Sequence, residues 1–142
     1  MENNLNQFLS NLVVEYHKLQ NFHWYIKGKD FFTVHEKLEE LYDQINEAID
    51  EVAELILMTN GSPLGSLKDF LATSSIKEAE ATYINSNDVF PAVLEDFNLL
   101  LNNAKDVKEA AEKEGSDVVS AQMDDYINEF TKTIWMINQT LK

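Results

Sequence analysis

The sequence contains no cysteine. That excludes disulfides, zinc–thiolate sites and iron–sulfur clusters, and it permits a reducing cytosol, the expected location. Glycine occurs four times and proline twice, so few points force a helix to stop. No apolar run approaches the ~18 residues that cross a bilayer, so no membrane span is expected. Met1 is followed by Glu2, Asn3 and Asn4 with no basic segment, so no secretory leader is expected either. Internal repeats and low-complexity stretches are lacking. Basic residues are few: 11 stand against 25 acidic ones, a formal net charge of −14. DNA is bound by cationic side chains that displace its counterions, and a chain of this charge repels it over most of its surface. The acidity itself reads either as a solubility device or as affinity for hard cations.

What is present is helix. The 142 residues suit one domain, spanning 1–142. Four long periodic patterns are expected as helices over residues 5–27, 34–59, 89–113 and 117–141. The first carries Leu5, Leu9, Leu12, Tyr16 and Leu19 on one stripe and meets Gly28 as a stop. The second has Thr33 and Glu36 as a capping box and Asn60-Gly61 as its end. The third follows cap candidates Asn87 and Asp88, holds Pro91 in its first turn and ends at Gly115. The fourth is capped by Ser116 and turns Val119, Met123, Ile127, Phe130, Ile134 and Ile137 inward. Short joints make the first and last pairs antiparallel hairpins. The middle joint, residues 61–86, is long and carries a short helical piece at 66–71. The fold class expected is all-α: a four-helix bundle with one long crossover, the arrangement of ferritin-like bundles.

The second helix has three faces. At about 100° per residue from His35, the residues Val34, Leu38, Leu41, Ile45, Ala48, Val52 and Ile56 share a core stripe. His35, Glu39, Asp50 and Glu54 lie well off it. Glu36, Glu40, Asp43, Glu47 and Glu51 form a third, wholly acidic stripe. His35 and Glu39 are neighbours one turn apart, as are Asp50 and Glu54. Imidazole with carboxylate suits iron, manganese or zinc better than calcium or magnesium. Glu39 and Asp50 are separated by about 16 Å of helical rise, too far for one ion. An antiparallel copy across a two-fold axis sets His35 and Glu39 of one chain against Asp50 and Glu54 of the other, giving two equivalent sites. The bland alternative is a set of solvated side chains. The sequence has no Glu-x-x-His, so the internal metal motif of ordinary di-iron bundles is missing while their crossover is present. His23 continues the first helix's apolar stripe and reads as a core histidine near the bundle end; Trp24 reads as a packing residue.

The runs Asn21-Phe22-His23-Trp24, Lys27-Gly28, Phe32-Thr33-Val34-His35-Glu36-Lys37-Leu38-Glu39-Glu40-Leu41-Tyr42 and Ile49-Asp50-Glu51-Val52-Ala53-Glu54 resemble the Dps family, the mini-ferritins. Glu114-Gly115-Ser116-Asp117 and Ile134-Trp135-Met136 are similar too, so the likeness covers nearly the whole chain. The resemblance implies a dodecamer that oxidises Fe(II), preferentially with hydrogen peroxide, and stores Fe(III) mineral. It implies a site at a two-fold interface, with ligands His23, His35 and Glu39 of one subunit and Asp50 and Glu54 of the other. It thus recasts His23 as a ligand. The family accepts either Asp or Glu at position 39. Trp24 matches a tryptophan thought to donate an electron beside the site. The acidic stripe becomes a surface for mineral nucleation, against the alternative of a wet face. Pore candidates are Asp117, Asp124 and Asp125, while Ser116 and Ala121 stand where acidic residues are often found. Some relatives coat DNA with Lys- or Arg-rich tails; this chain has neither residue before its first helix, so DNA binding is expected to be weak or absent.

Overall fold

Five helices and no β-strand make up the structure, a computed structural model that describes all 142 residues. They are α1 (Glu2–Tyr25), α2 (Phe31–Met58), α3 (Leu67–Thr73), α4 (Ser86–Glu114) and α5 (Asp117–Leu141). The hairpins α1–α2 and α4–α5 pack on one another chiefly through α1 and α4, and α3 leans on α1. This is the ferritin-like four-helix bundle. Every residue assigned to the α2 core stripe is buried, and so are Leu5, Leu9, Leu12 and Leu19 of α1. On α5, Val119, Met123, Phe130 and Ile137 are buried; Ile127 and Ile134 are half-buried, and Tyr126 and Thr133 join the core unannounced by the pattern. No helix is long and apolar enough to cross a membrane.

The helix ends depart from expectation in instructive ways. The first helix stops at Tyr25, before Gly28, because the backbone of residues 25–27 turns to pair with the crossover. The Lys27 N–H donates to the Ile84 carbonyl at 2.9 Å, and the Ile84 N–H to the Tyr25 carbonyl at 3.1 Å. The Thr33–Glu36 capping box does not form: α2 begins three residues earlier, after Asp30, with no side-chain cap. Stacking of Phe31 on His35, centroids 4.7 Å apart, rewards winding that extra turn. The third long segment, α4, is capped by Asn85, whose side chain accepts from the Asp88 N–H at 3.2 Å, so Pro91 sits in the second turn rather than the first. Gly115 ends α4 in the left-handed region at φ 72°, with Ser116 N–H returning to the Ala111 carbonyl. Gly61 closes α2 where a β-carbon would lie 2.9 Å from an Ile56 methyl.

The crossover runs alongside α1 in the same direction and is fastened by polar side chains of that helix. Asn6 donates to the Ser62 carbonyl and accepts from the Leu64 N–H. Gln7 donates to the Thr73 carbonyl, and Asn21 to the carbonyls of Ala79 and Glu80. Asn11 is fully buried; its Oδ1 accepts from the Ser74 hydroxyl and the Ser75 N–H, each at 2.8 Å, and its Nδ2 donates to Asn103 Oδ1 of α4 at 2.7 Å. A segment that buries only Phe70 and Ile76 in the core is thus held as well by satisfying its backbone groups.

Candidate metal centre

The short α1–α2 joint folds the last turn of α1 onto the first turns of α2. It brings His23, His35 and Glu39 together. His23 is buried, as its place on the apolar stripe requires, and His35 is half-buried. Each imidazole bonds the other's backbone: His23 Nδ1 lies 2.7 Å from the His35 carbonyl, and His35 Nδ1 lies 2.8 Å from the His23 carbonyl. A carbonyl oxygen only accepts, so both Nδ1 atoms carry a proton, and in the neutral imidazole it is Nε2 that offers the lone pair to a metal. The rings stack at 3.7 Å between centroids, 12° from parallel. A backbone acceptor behind each imidazole is the outer-shell arrangement that fixes a metal-ligating histidine. Glu39 completes the group with Oε1 3.6 Å from His23 Nε2.

Tyr42 is a member of this group that pattern reading passed over. Its hydroxyl donates to Glu39 Oε1 at 3.3 Å, and its ring stands edge-on to His23 at 5.4 Å. Tyr16 packs edge-on against Tyr42 in turn, at 5.8 Å. Partial desolvation and then the Glu39 carboxylate raise the Tyr42 hydroxyl pKa, so it stays a donor at neutral pH. The available signal was the three-residue step from Glu39, which places Tyr42 on the same face. Trp24 points elsewhere: it is 58% exposed and its ring meets His17 edge-on at 6.1 Å.

Asp50 and Glu54 are exposed, half the length of α2 away, and do not reach the histidine pair. Within one chain, no three imidazole or carboxylate groups converge as a metal site. The acidic stripe Glu36, Glu40, Asp43, Glu47 and Glu51 is exposed throughout. From α5, Gln122 donates to Glu51 at 3.2 Å. Glu129 extends the stripe: partial burial, then Glu51, Asp125 and Glu47, push its pKa upward. Of the pore candidates, Asp124 is neutralised by Lys108, with Nζ 2.8 Å away, while Lys108 also reaches Glu112 and Ser120. Asp117 and Asp125 are exposed.

A ferritin-like domain model matches residues 2–142. The DNA protection during starvation protein of Helicobacter pylori is 35% identical over 137 residues, 96% of this chain and 95% of that protein. Among solved structures, the zinc-soaked Dps of Listeria innocua superposes with a TM-score of 0.94 at 36% identity, covering 99% of this chain and 94% of that one. The Vibrio cholerae Dps, described as one of the ferritin-like diiron-carboxylate proteins, gives 0.95 at 38% identity over 99% and 88%. The chain therefore belongs to the ferritin-like family and, within it, to the Dps proteins.

Proposed function

We propose that the chain is a single-domain ferroxidase and iron-storage subunit that oxidises Fe(II), preferentially with hydrogen peroxide, at sites shared between two copies. The observation that carries this reading is the reciprocal Nδ1–carbonyl bonding of His23 and His35, which leaves two imidazole lone pairs beside Glu39 with no ligand of the same chain to complete them. Asp50 and Glu54 of the partner subunit complete the set across a two-fold axis. Large apolar side chains left on the surface, among them Trp24, Phe32, Leu67, Leu71 and Trp135, support burial against further copies in a dodecamer.

Iron is the substrate here. Two ferrous ions held by His23, His35, Glu39 and the partner's Asp50 and Glu54 each give one electron to peroxide. Its O–O bond breaks to two hydroxide ions, and no free hydroxyl radical is released. Carboxylates favour the higher charge of Fe(III). By resemblance Trp24 is assigned as an electron donor beside the shared site; within one chain its ring turns toward His17, so that role rests on the assembled interface. Fe(III) then hydrolyses along the acidic stripe of Glu36, Glu40, Asp43, Glu47 and Glu51, extended by Glu129, which faces the cavity. Asp117 and Asp125 line the entry. Protection of DNA in the cytosol follows from removing iron and peroxide. Asp50→Ala with Glu54→Ala is expected to abolish fast peroxide-driven oxidation, followed optically, while intact-mass measurement still shows the assembled shell. Unchanged oxidation in that variant overturns the reading.

A further inference from the structure

A second group of ionisable side chains lies inside the bundle, about 12 Å along α1 from His23. Glu15 of α1 is 0% exposed, and Asp96 faces it from α4, also buried. Lys18, one turn on from Glu15, places Nζ 2.8 Å from Asp96 Oδ2. Both Glu15 carboxyl oxygens lack any hydrogen-bond donor. The chain around them is apolar: Leu12, Leu19, Val93, Phe97 and Leu100 are all buried.

An ion pair of Lys18 with Asp96 needs no third member, and a buried ion pair gives little net stability by itself. An added carboxyl whose one polar partner is the Asp96 carboxylate, to which it donates only while it holds a proton, is a burden on the core. Two facing carboxylates are, however, the oxygen donors that a hard, doubly charged cation takes, with waters filling the rest of its shell. Charge balance here is met by other means. Burial first, then Asp96, raise the Glu15 pKa well above the ordinary range, with Lys18 opposing, which favours the protonated form of Glu15. One ammonium and one proton supply the two positive charges that a divalent ion would bring.

We infer that the Lys18 ammonium, paired with Asp96 beside Glu15, stands in for a divalent cation at these two carboxyls, and that Lys18 is the residue that keeps metal out of the bundle interior. Removing it opens a metal site that depends on Glu15. This is independent of the histidine site at the end of α1, because only binding lost with Glu15 is counted.

The test compares the full-length wild type, Lys18→Ala and the double variant Lys18→Ala/Glu15→Gln in titrations with Co(II), followed by visible absorption and equilibrium dialysis. Lys18→Ala is expected to take up one Co(II) per subunit beyond the other two proteins, about tenfold or more tighter than any added binding in the double variant. Its thermal midpoint should also rise further with Co(II). Equal Co(II) uptake by Lys18→Ala and the double variant overturns the inference. If Lys18→Ala is unfolded without metal, recovery of helix and assembly on refolding with Co(II) supports the inference; refolding no better than with a chelator overturns it.

Discussion

Single residues carry most of the chemistry, and their roles were unequally visible. His23 was legible as a core residue from its angle on α1, and it is one; the same burial lets it lock His35 through paired backbone bonds. No sequence pattern reports that reciprocity, because it depends on how the joint folds α1 onto α2. Tyr42 was hidden because one hydroxyl bond, to Glu39, is invisible to hydrophobic periodicity. Glu39 is more than half exposed, and without Tyr42 its carboxylate must be ordered on binding. Tyr42→Phe removes a bond worth about 1 kcal/mol. It should raise the KM for Fe(II) several-fold with kcat little changed, which initial oxidation rates against Fe(II) concentration will report. Glu15 makes a pH prediction. Its folded pKa lies above the unfolded one, so its favourable contribution is fully present below the ordinary carboxyl pKa. It falls as pH rises from there toward the folded value, by at most about 1.4 kcal/mol per pH unit. Glu15→Gln removes that slope. Urea unfolding at pH 5 and pH 7 should show the variant gaining on the wild type at the higher pH, and identical pH profiles would refute the assignment.

At the scale of elements, α2 was the most readable because one repeat governs its buried face: all seven stripe residues are in the core. The same stripe fixed which acidic residues face outward. Helix ends were less readable, since they answer to contacts from elsewhere, as the Phe31–His35 stack and the Ile26–Ile84 pairing show. The crossover was legible only as a long joint. Its course depends on side-chain bonds to backbone from Asn6, Gln7, Asn11 and Asn21, which lie where α1 would be read as simply polar. Asn11 is the most consequential of these. Asn11→Ala leaves the Ser75 N–H and the Asn103 side chain without their partner inside the protein. Unsatisfied buried groups cost about 1–3 kcal/mol each, so a loss of roughly 2 kcal/mol or more is expected. Hydrogen exchange should rise first over residues 62–85, while α2 and α5 keep their protection; uniform loss of protection would contradict a local fastening role.

For the whole molecule, the balance of charge decides what the surface meets. The 11 basic residues are all lysines, and several are already engaged: Lys18 with Asp96, Lys37 with Glu40, Lys108 with Asp124 and Lys113 with Glu109. In the proposed shell, assembly multiplies the formal charge of −14 carried by each chain. The acidic field draws cations toward the shell and repels polyanions, and both effects weaken as the Debye length shrinks from about 30 Å at 0.01 M salt to about 10 Å at 0.1 M. A protein that binds DNA through cationic contacts retards it most strongly at low salt, because there counterion release is most favourable. The opposite is expected here: no gel retardation of linear DNA at low salt, where repulsion is least screened, and none gained at moderate salt. Under the same conditions the protein should still shield DNA from cleavage by Fe(II) and peroxide, since removing the reactants requires no contact with the strand. Retardation at low salt that disappears as salt rises would show a cationic binding surface that the arrangement of lysines does not provide, and shielding would then have to be attributed to coating rather than to iron oxidation.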